Sequence, residues 1–322
     1  MVTNGAPVAR LSQVCYFGGV MHIPDGYLSP AVLAALGAAS VAGAGLAAHR
    51  ASRSLEESRV PLMGMAGAFV FAAQMINFPV AAGASGHLLG GALLAITLGT
   101  APAAVVMTAI LAIQALLFQD GGVLALGANV FNMALAGVLA GAWAWEAFGG
   151  LRRRRVASFA AGVLSAFVAA CFALAELAVS GIRIPGAALW AALGIFALTA
   201  LLEGAITAAV VAALDSVQPG LLEHAHGSPR RAVSGLLLAG LVLAAAGFLM
   251  ASSLPDGLEH LAERIGIAGL ERSVAASPMP GYEAKWLPAD WLQKAGAGLL
   301  GLAVTAAVCW AAGRWIARWR SA

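Results

Sequence analysis

Two of the six histidines lie in stretches whose residue types can hold a metal ion. His22 follows Met21 in Met21-His22-Ile23-Pro24-Asp25-Gly26-Tyr27-Leu28-Ser29-Pro30, just ahead of the first long apolar run. If Met21 begins the functional chain, its free amine, the His22 amide nitrogen and the His22 ring can grip one ion together. His87 follows Ala84-Ser85-Gly86, small residues that let backbone approach closely. Either histidine alone reads as a hydrogen-bonded structural residue, and the pair on one face shifts the reading to a metal. Amine and imidazole donors suit nickel, copper, cobalt or zinc, and a square-planar nitrogen set points to nickel(II) or copper(II).

Polar side chains gather around these histidines although the flanking sequence is apolar. Gln74, Asn77, Ser85 and His87 form one group; Gln114, Gln119, Asp120, Asn129 and Asn132 form a second, and Glu203 stands inside a later apolar run. Polar groups are costly in a bilayer and mark function by default. A single Asn or Gln reads as interhelical glue, whereas the concentration beside two histidines reads as a site. We take Gln74, Asn77, Ser85, Asp120, Asn129 and Asn132 as its support. His49, His224, His226 and His260 read as loop residues.

Other chemistries find little support. The two lysines, Lys285 and Lys294, stand in no GxxxxGK[ST] setting, so no ATP site is expected in this chain. There is no GxSxG elbow and no HExxH pair, which weakens an enzyme reading. Cys15, Cys171 and Cys309 are far apart and suggest neither a disulfide framework nor a thiolate site. No nucleic-acid partner is expected; the surrounding partner is membrane lipid.

The elements that must position these residues are membrane helices. Of 322 residues, 61% are hydrophobic and 10% charged, well below the roughly 25% charge of soluble domains. A span needs about 20 apolar residues. Nine such runs are expected, near 30–48, 62–78, 88–101, 103–118, 127–148, 156–180, 186–214, 233–251 and 292–313, with the third and fourth parted around Pro102. The fold class is therefore an all-α polytopic membrane protein. Arg50, Arg53, Arg59, Arg152 to Arg155, Arg230, Arg231, Arg314, Arg318 and Arg320 share one side if the N-terminus is outside and the C-terminus cytoplasmic. Both histidine stretches then face out.

The chain divides into residues 1–20, a metal-binding membrane unit 21–214, a turn-rich linker 215–231 and a two-span unit 232–322. The last unit encloses an outer segment, 252–290, with a short amphipathic helix expected at Ser252 to Gly266. Residues 1–20 carry no secretory pattern, and Gly18-Gly19-Val20 can be encoded by a ribosome-binding sequence just before Met21; we expect this tail to be absent from the functional chain. Along the first span Ala31, Ala35, Ala39, Gly43 and Ala47 recur at a four-residue step, a stripe that lets a partner helix pack closely.

Three motifs in order, MHIPDGYLSP, QMINFPV with SGHLLGG, and LFQDGGVLALGANVFNMA, resemble the substrate-binding M subunit of nickel and cobalt energy-coupling-factor (ECF) transporters, from Met21 to about Leu214. Pro255-Asp256-Gly257-Leu258-Glu259 resembles the PDGLE, or N-type, auxiliary unit. The resemblance implies an M–N fusion: a seven-helix bundle like an ECF substrate-binding component plus two further transmembrane helices, in a bacterial or archaeal cell membrane. It implies nickel(II) or cobalt(II) as transported substrate, held in a planar four-nitrogen site by the Met21 amine, the His22 amide and ring, and His87. It also implies a transmembrane T subunit and cytoplasmic ATPases as partners. The 20 residues before Met21 depart from the family pattern, since keeping them would turn the amine into an amide. Two rival readings are a vitamin-binding substrate component and a metal-independent intramembrane enzyme or assembly protein.

Overall fold

The computed structural model describes residues 22–81, 83–223, 228–252 and 254–319. Among the described residues, eleven α-helices run in chain order: α1 (Pro30–Ser54), α2 (Val60–Gln74), α3 (Gly91–Leu98), α4 (Thr100–Ile113), α5 (Leu126–Asn129), α6 (Val138–Ala147), α7 (Arg154–Val179), α8 (Gly186–Val217), α9 (Arg230–Ala246), α10 (Gly257–Ile265) and α11 (Asp290–Arg318). Wide π-helical turns extend α4 over Gln114–Phe118 and join α5 to α6 over Val130–Gly137. The described strands are β1 (Phe78–Ala81) and β2 (Ala84–Gly86), paired antiparallel. The molecule is thus an all-α polytopic membrane protein.

Seven helices are long and apolar enough to cross a bilayer among the described residues, against nine expected runs. The other two expected spans are shorter. α2 has 15 residues, of which 12 are buried, and is apolar on every side because α9 and α11 pack against it. A helix apolar all round is a core helix. α3 has eight residues, all buried.

The break between α3 and α4 falls at Gly99, not around Pro102. Gly99 has φ 88°, ψ 157°, a conformation open to glycine and strained for other residues. Pro102 lies within the first turn of α4, where a missing N–H costs nothing. The expected linker also shifts. Asp215 remains inside α8 and pairs with Arg154, whose other guanidinium nitrogen is 3.0 Å from Glu223. At this arginine-bearing end the buried Arg59 donates to Thr97 O (3.0 Å) and Leu221 O (3.3 Å), capping carbonyls at the end of α3 and after α8.

The amphipathic helix expected in the 252–290 segment is α10. Asp256 accepts from Glu259 N–H (2.6 Å) and Glu259 accepts from Asp256 N–H (3.1 Å), a reciprocal cap. Leu258, Leu261 and Ala262 form its buried face.

Candidate metal centre

His22 and His87 come together at the end of the bundle opposite Arg59. Their rings are nearly parallel, 11° apart, with centroids separated by 6.1 Å. Both are buried, at 4% and 0% exposure, so neither is a loop histidine in solvent.

His22 lies ahead of α1 in a segment without helix, so its position must come from side-chain clamps. Asn129 supplies one. Its Oδ1 accepts from Ile23 N–H (2.7 Å) and its Nδ2 donates to Ile23 O (3.0 Å). Ile23 O also accepts from Gly122 N–H (3.0 Å). Asp25 supplies a second clamp, accepting from Val123 N–H (3.0 Å) and Ala125 N–H (2.9 Å). The glycines after Asp120 make room for this docking. Gly121 has φ +84°, and a Cβ there would stand 3.0 Å from His22 Cβ; one on Gly122 would overlap Asp25.

His87 sits where the β1–β2 hairpin passes into α3. The turn is held from below by Glu203, half-way along α8, which accepts from Leu89 N–H (2.7 Å) and Gly90 N–H (2.9 Å). Non-helical backbone at membrane depth is tolerated only when protein satisfies its polar groups, and Glu203 does so here. The His87 Nδ1–H is directed to Leu88 O, which leaves Nε2 as the ring atom carrying the lone pair in neutral imidazole.

Asp120 lies against His22, with Oδ1 3.0 Å from Nδ1. The Tyr282 hydroxyl donates to its other oxygen. Gln114 Nε2 donates to Tyr282 Oη (3.2 Å) and to Gln74 Oε1 (3.0 Å), and Gln74 Nε2 donates to Leu89 O (2.7 Å). A polar relay therefore runs from His22 to the backbone beside His87. Burial raises the Asp120 carboxyl, but His22, the Tyr282 hydrogen bond and the charge of His87 outweigh it and hold it below the usual carboxylate range. Burial, reinforced by Asp120, pushes the Tyr282 phenol well above its ordinary value. Beside His22 a cavity of about 40 Å³, lined by Asp25, Tyr27, Gln119 and Glu271, has room for a few waters.

The expected support residues divide. Gln74, Asp120 and Asn129 belong to the network around the histidines. Ser85 instead donates to Leu254 O (2.7 Å), and its N–H to Pro255 O (2.7 Å), so it ties the hairpin to the second unit. Asn77 holds the same segment through its carbonyl, which accepts from Ser252 N–H (2.7 Å). Asn132 donates to Glu176 (2.9 Å) within the bundle. Met21 lies outside the described residues, as do His224 and His226. Among the described residues no three His, Cys, Asp or Glu side chains are grouped to hold an ion. His49 and His260, expected in loops, lie in α1 and α10.

The small-residue stripe is also divided. Ala31, Ala35 and Ala39 are exposed, Gly43 packs on Leu135 and Ala47 is buried. Sequence reasoning missed Tyr282 altogether and named Gln114 and Glu203 without their partners. The available signal for Tyr282 was one of only three tyrosines, set after Pro280-Gly281 in a polar segment.

Comparison with known proteins adds to this geometry. The family described as "Cobalt uptake substrate-specific transmembrane region" matches residues 22–221, and the PDGLE domain matches 230–318. A protein of Archaeoglobus fulgidus named as a fused nickel transport protein is 35% identical over 260 residues, 79% of this chain and 84% of that protein. A cobalt transport protein of Thermosediminibacter oceani is 39% identical over 181 residues, 53% of this chain and 74% of that protein. A solved structure described as a truncated transition metal transporter is 31% identical, covering 64% of this chain and 100% of that one, with a TM-score of 0.46.

Proposed function

This chain belongs to the family of cobalt uptake substrate-specific transmembrane regions, carrying a PDGLE domain after it, and from that premise we propose that it captures nickel(II) or cobalt(II) for import. The donors are the Met21 amine, the His22 amide nitrogen and ring, and His87. The observation that carries this reading is the approach of two buried imidazoles from distant segments, with centroids 6.1 Å apart. In the planar set the two ring nitrogens are neighbouring donors on one ion, each about 2.0–2.1 Å from it, so loading would draw these two rings closer together.

Charge also supports it. A dication bound by one deprotonated amide keeps a single positive charge, and the Asp120 carboxylate beside His22 offsets it. Burying an uncompensated ion would be costly. A chelate closed by the His22 amide and its own ring uses Nδ1, so loading takes that atom from Asp120 and leaves the carboxylate alongside as counter-charge. Nickel is favoured over cobalt by the planar nitrogen set.

In this reading the functional chain starts at Met21, the histidine-bearing end faces outward across the cell membrane, and a transmembrane T subunit with cytoplasmic ATPases drives release. The His22→Ala and His87→Ala variants test the site. Each should lose high-affinity metal binding while still inserting into the membrane, whereas His49→Ala should keep it. N-terminal sequencing of the native protein tests the start, and a tail fixed ahead of Met21 should abolish the planar nickel spectrum. Full metal content in His87→Ala protein would refute the site.

A further inference from the structure

We infer that Tyr282, contributed by the PDGLE domain, is a positioning residue for the metal centre, holding the Asp120 carboxylate against His22. The inference rests on the capture reading above and adds a role for the second unit in it. His22, His87 and Asp120 all belong to the first family region, and Tyr282 to the second.

The geometry is specific. Tyr282 reaches across the two units to donate its hydroxyl hydrogen to Asp120, and the same oxygen accepts from Gln114 (3.2 Å). Its ring stacks on Phe118, with centroids 4.6 Å apart and planes 16° apart, and leans on Phe71. The ring therefore fixes where the hydroxyl points. Among the described residues, two that are not glycine have positive φ: Gln119 at 57° and Tyr282 at 60°. One precedes Asp120 and the other is its partner. Strained backbone persists where surrounding structure over-determines it, and it collects at functional sites.

The segment that carries Tyr282 is pinned on both sides of the centre. Ser85 N–H donates to Pro255 O (2.7 Å) near His87, Arg272 N–H donates to Asp25 O (2.9 Å) near His22, and Met279 N–H donates to Leu117 O (3.0 Å). These anchors deliver the tyrosine, and its hydroxyl closes the relay from Gln74 and Gln114 to Asp120. Groups that hydrogen-bond around a metal's ligands orient them, and their loss commonly costs about 10–100-fold in affinity.

The test is a double-mutant cycle in the full chain carrying the N-terminus that binds metal. Tyr282→Phe keeps the stacked ring and removes only the hydroxyl. It should weaken nickel binding about 10–100-fold while the protein still folds and inserts into the membrane. In an Asp120→Asn background the same substitution should cost nothing further, because Tyr282 acts through that carboxylate. Native affinity in Tyr282→Phe overturns the inference, and so does an equal loss in both backgrounds, which would assign the tyrosine to packing. Should the unsubstituted chain bind no nickel or cobalt, the capture reading itself fails instead.

Discussion

Glu203, half-way along α8, accepts hydrogen bonds from both Leu89 N–H (2.7 Å) and Gly90 N–H (2.9 Å), so a carboxylate inside the bundle holds the backbone next to His87. Two donors with no intrahelical partner open α3 at this point, and a two-oxygen acceptor satisfies both. Glu203→Gln presents an N–H₂ to one of them. The buried donor left unmatched should cost about 1–3 kcal/mol of stability. Thermal unfolding in detergent should show the loss, together with weaker metal binding. A Gln variant as stable as the parent would mean that the turn is held by something else.

The His22 segment should be equally sensitive to the loop that receives it. Gly122→Ala puts a methyl group into the Asp25 carboxylate, and neither backbone can yield without breaking the bonds from Val123 and Ala125. The segment should leave the loop, and metal binding should fall while the helices still insert. Asn129→Ala, which removes the two hydrogen bonds between Asn129 and Ile23, should weaken binding in the same way. Isothermal titration with nickel checks both, and unchanged affinity in Gly122→Ala would contradict the docking.

The membrane class and the histidine stretches were legible because rare residue types stand out in an apolar chain. Gly121 and Gly122 are visible within QDGG, and their docking partners, His22 and Asp25, are visible in the stretch that precedes α1. Element lengths were less legible. α2 and α3 are apolar on all sides, so periodicity gives no boundary, and Pro102 drew attention from the true break at Gly99. Tyr282 was invisible because its partner is 162 positions away. Hydrophobic patterning carries no record of a contact of that kind. The same holds for Glu203, 114 positions from Leu89.

The exposed part of the α1 stripe gives a prediction that separates binding from transport. Only 11% of the most apolar stretch of α1 is buried, and Ala31, Ala35 and Ala39 are exposed, as a face for a partner helix would be. Close packing needs small side chains. Ala35→Leu should therefore leave nickel affinity unchanged and lower uptake by cells that supply the partner subunits. Parallel binding and uptake assays decide it; normal uptake would remove α1 as the coupling face.

The pH dependence of metal binding follows from which groups must lose protons. An imidazole titrates near 6.5 and an α-amine near 7.7–8.0 when unperturbed, and metal must displace their protons and that of the His22 amide. Asp120 behaves differently. Burial alone would raise it, but His22, Tyr282 and the charge of His87 together hold it low. A carboxyl depressed on folding contributes stability above its unfolded value of about 3.9, and that stability is lost only as pH falls through the lower folded value. Between pH 5 and 8 Asp120 thus stays ionised. The fall in nickel affinity from pH 8 towards 5 should then belong to protons taken up by the histidines and the amine. Asp120→Asn should lower affinity at every pH in that window. Affinity that stays flat from pH 8 to 5 would exclude amine and imidazole donors, and undiminished affinity in Asp120→Asn would remove the carboxylate from the site.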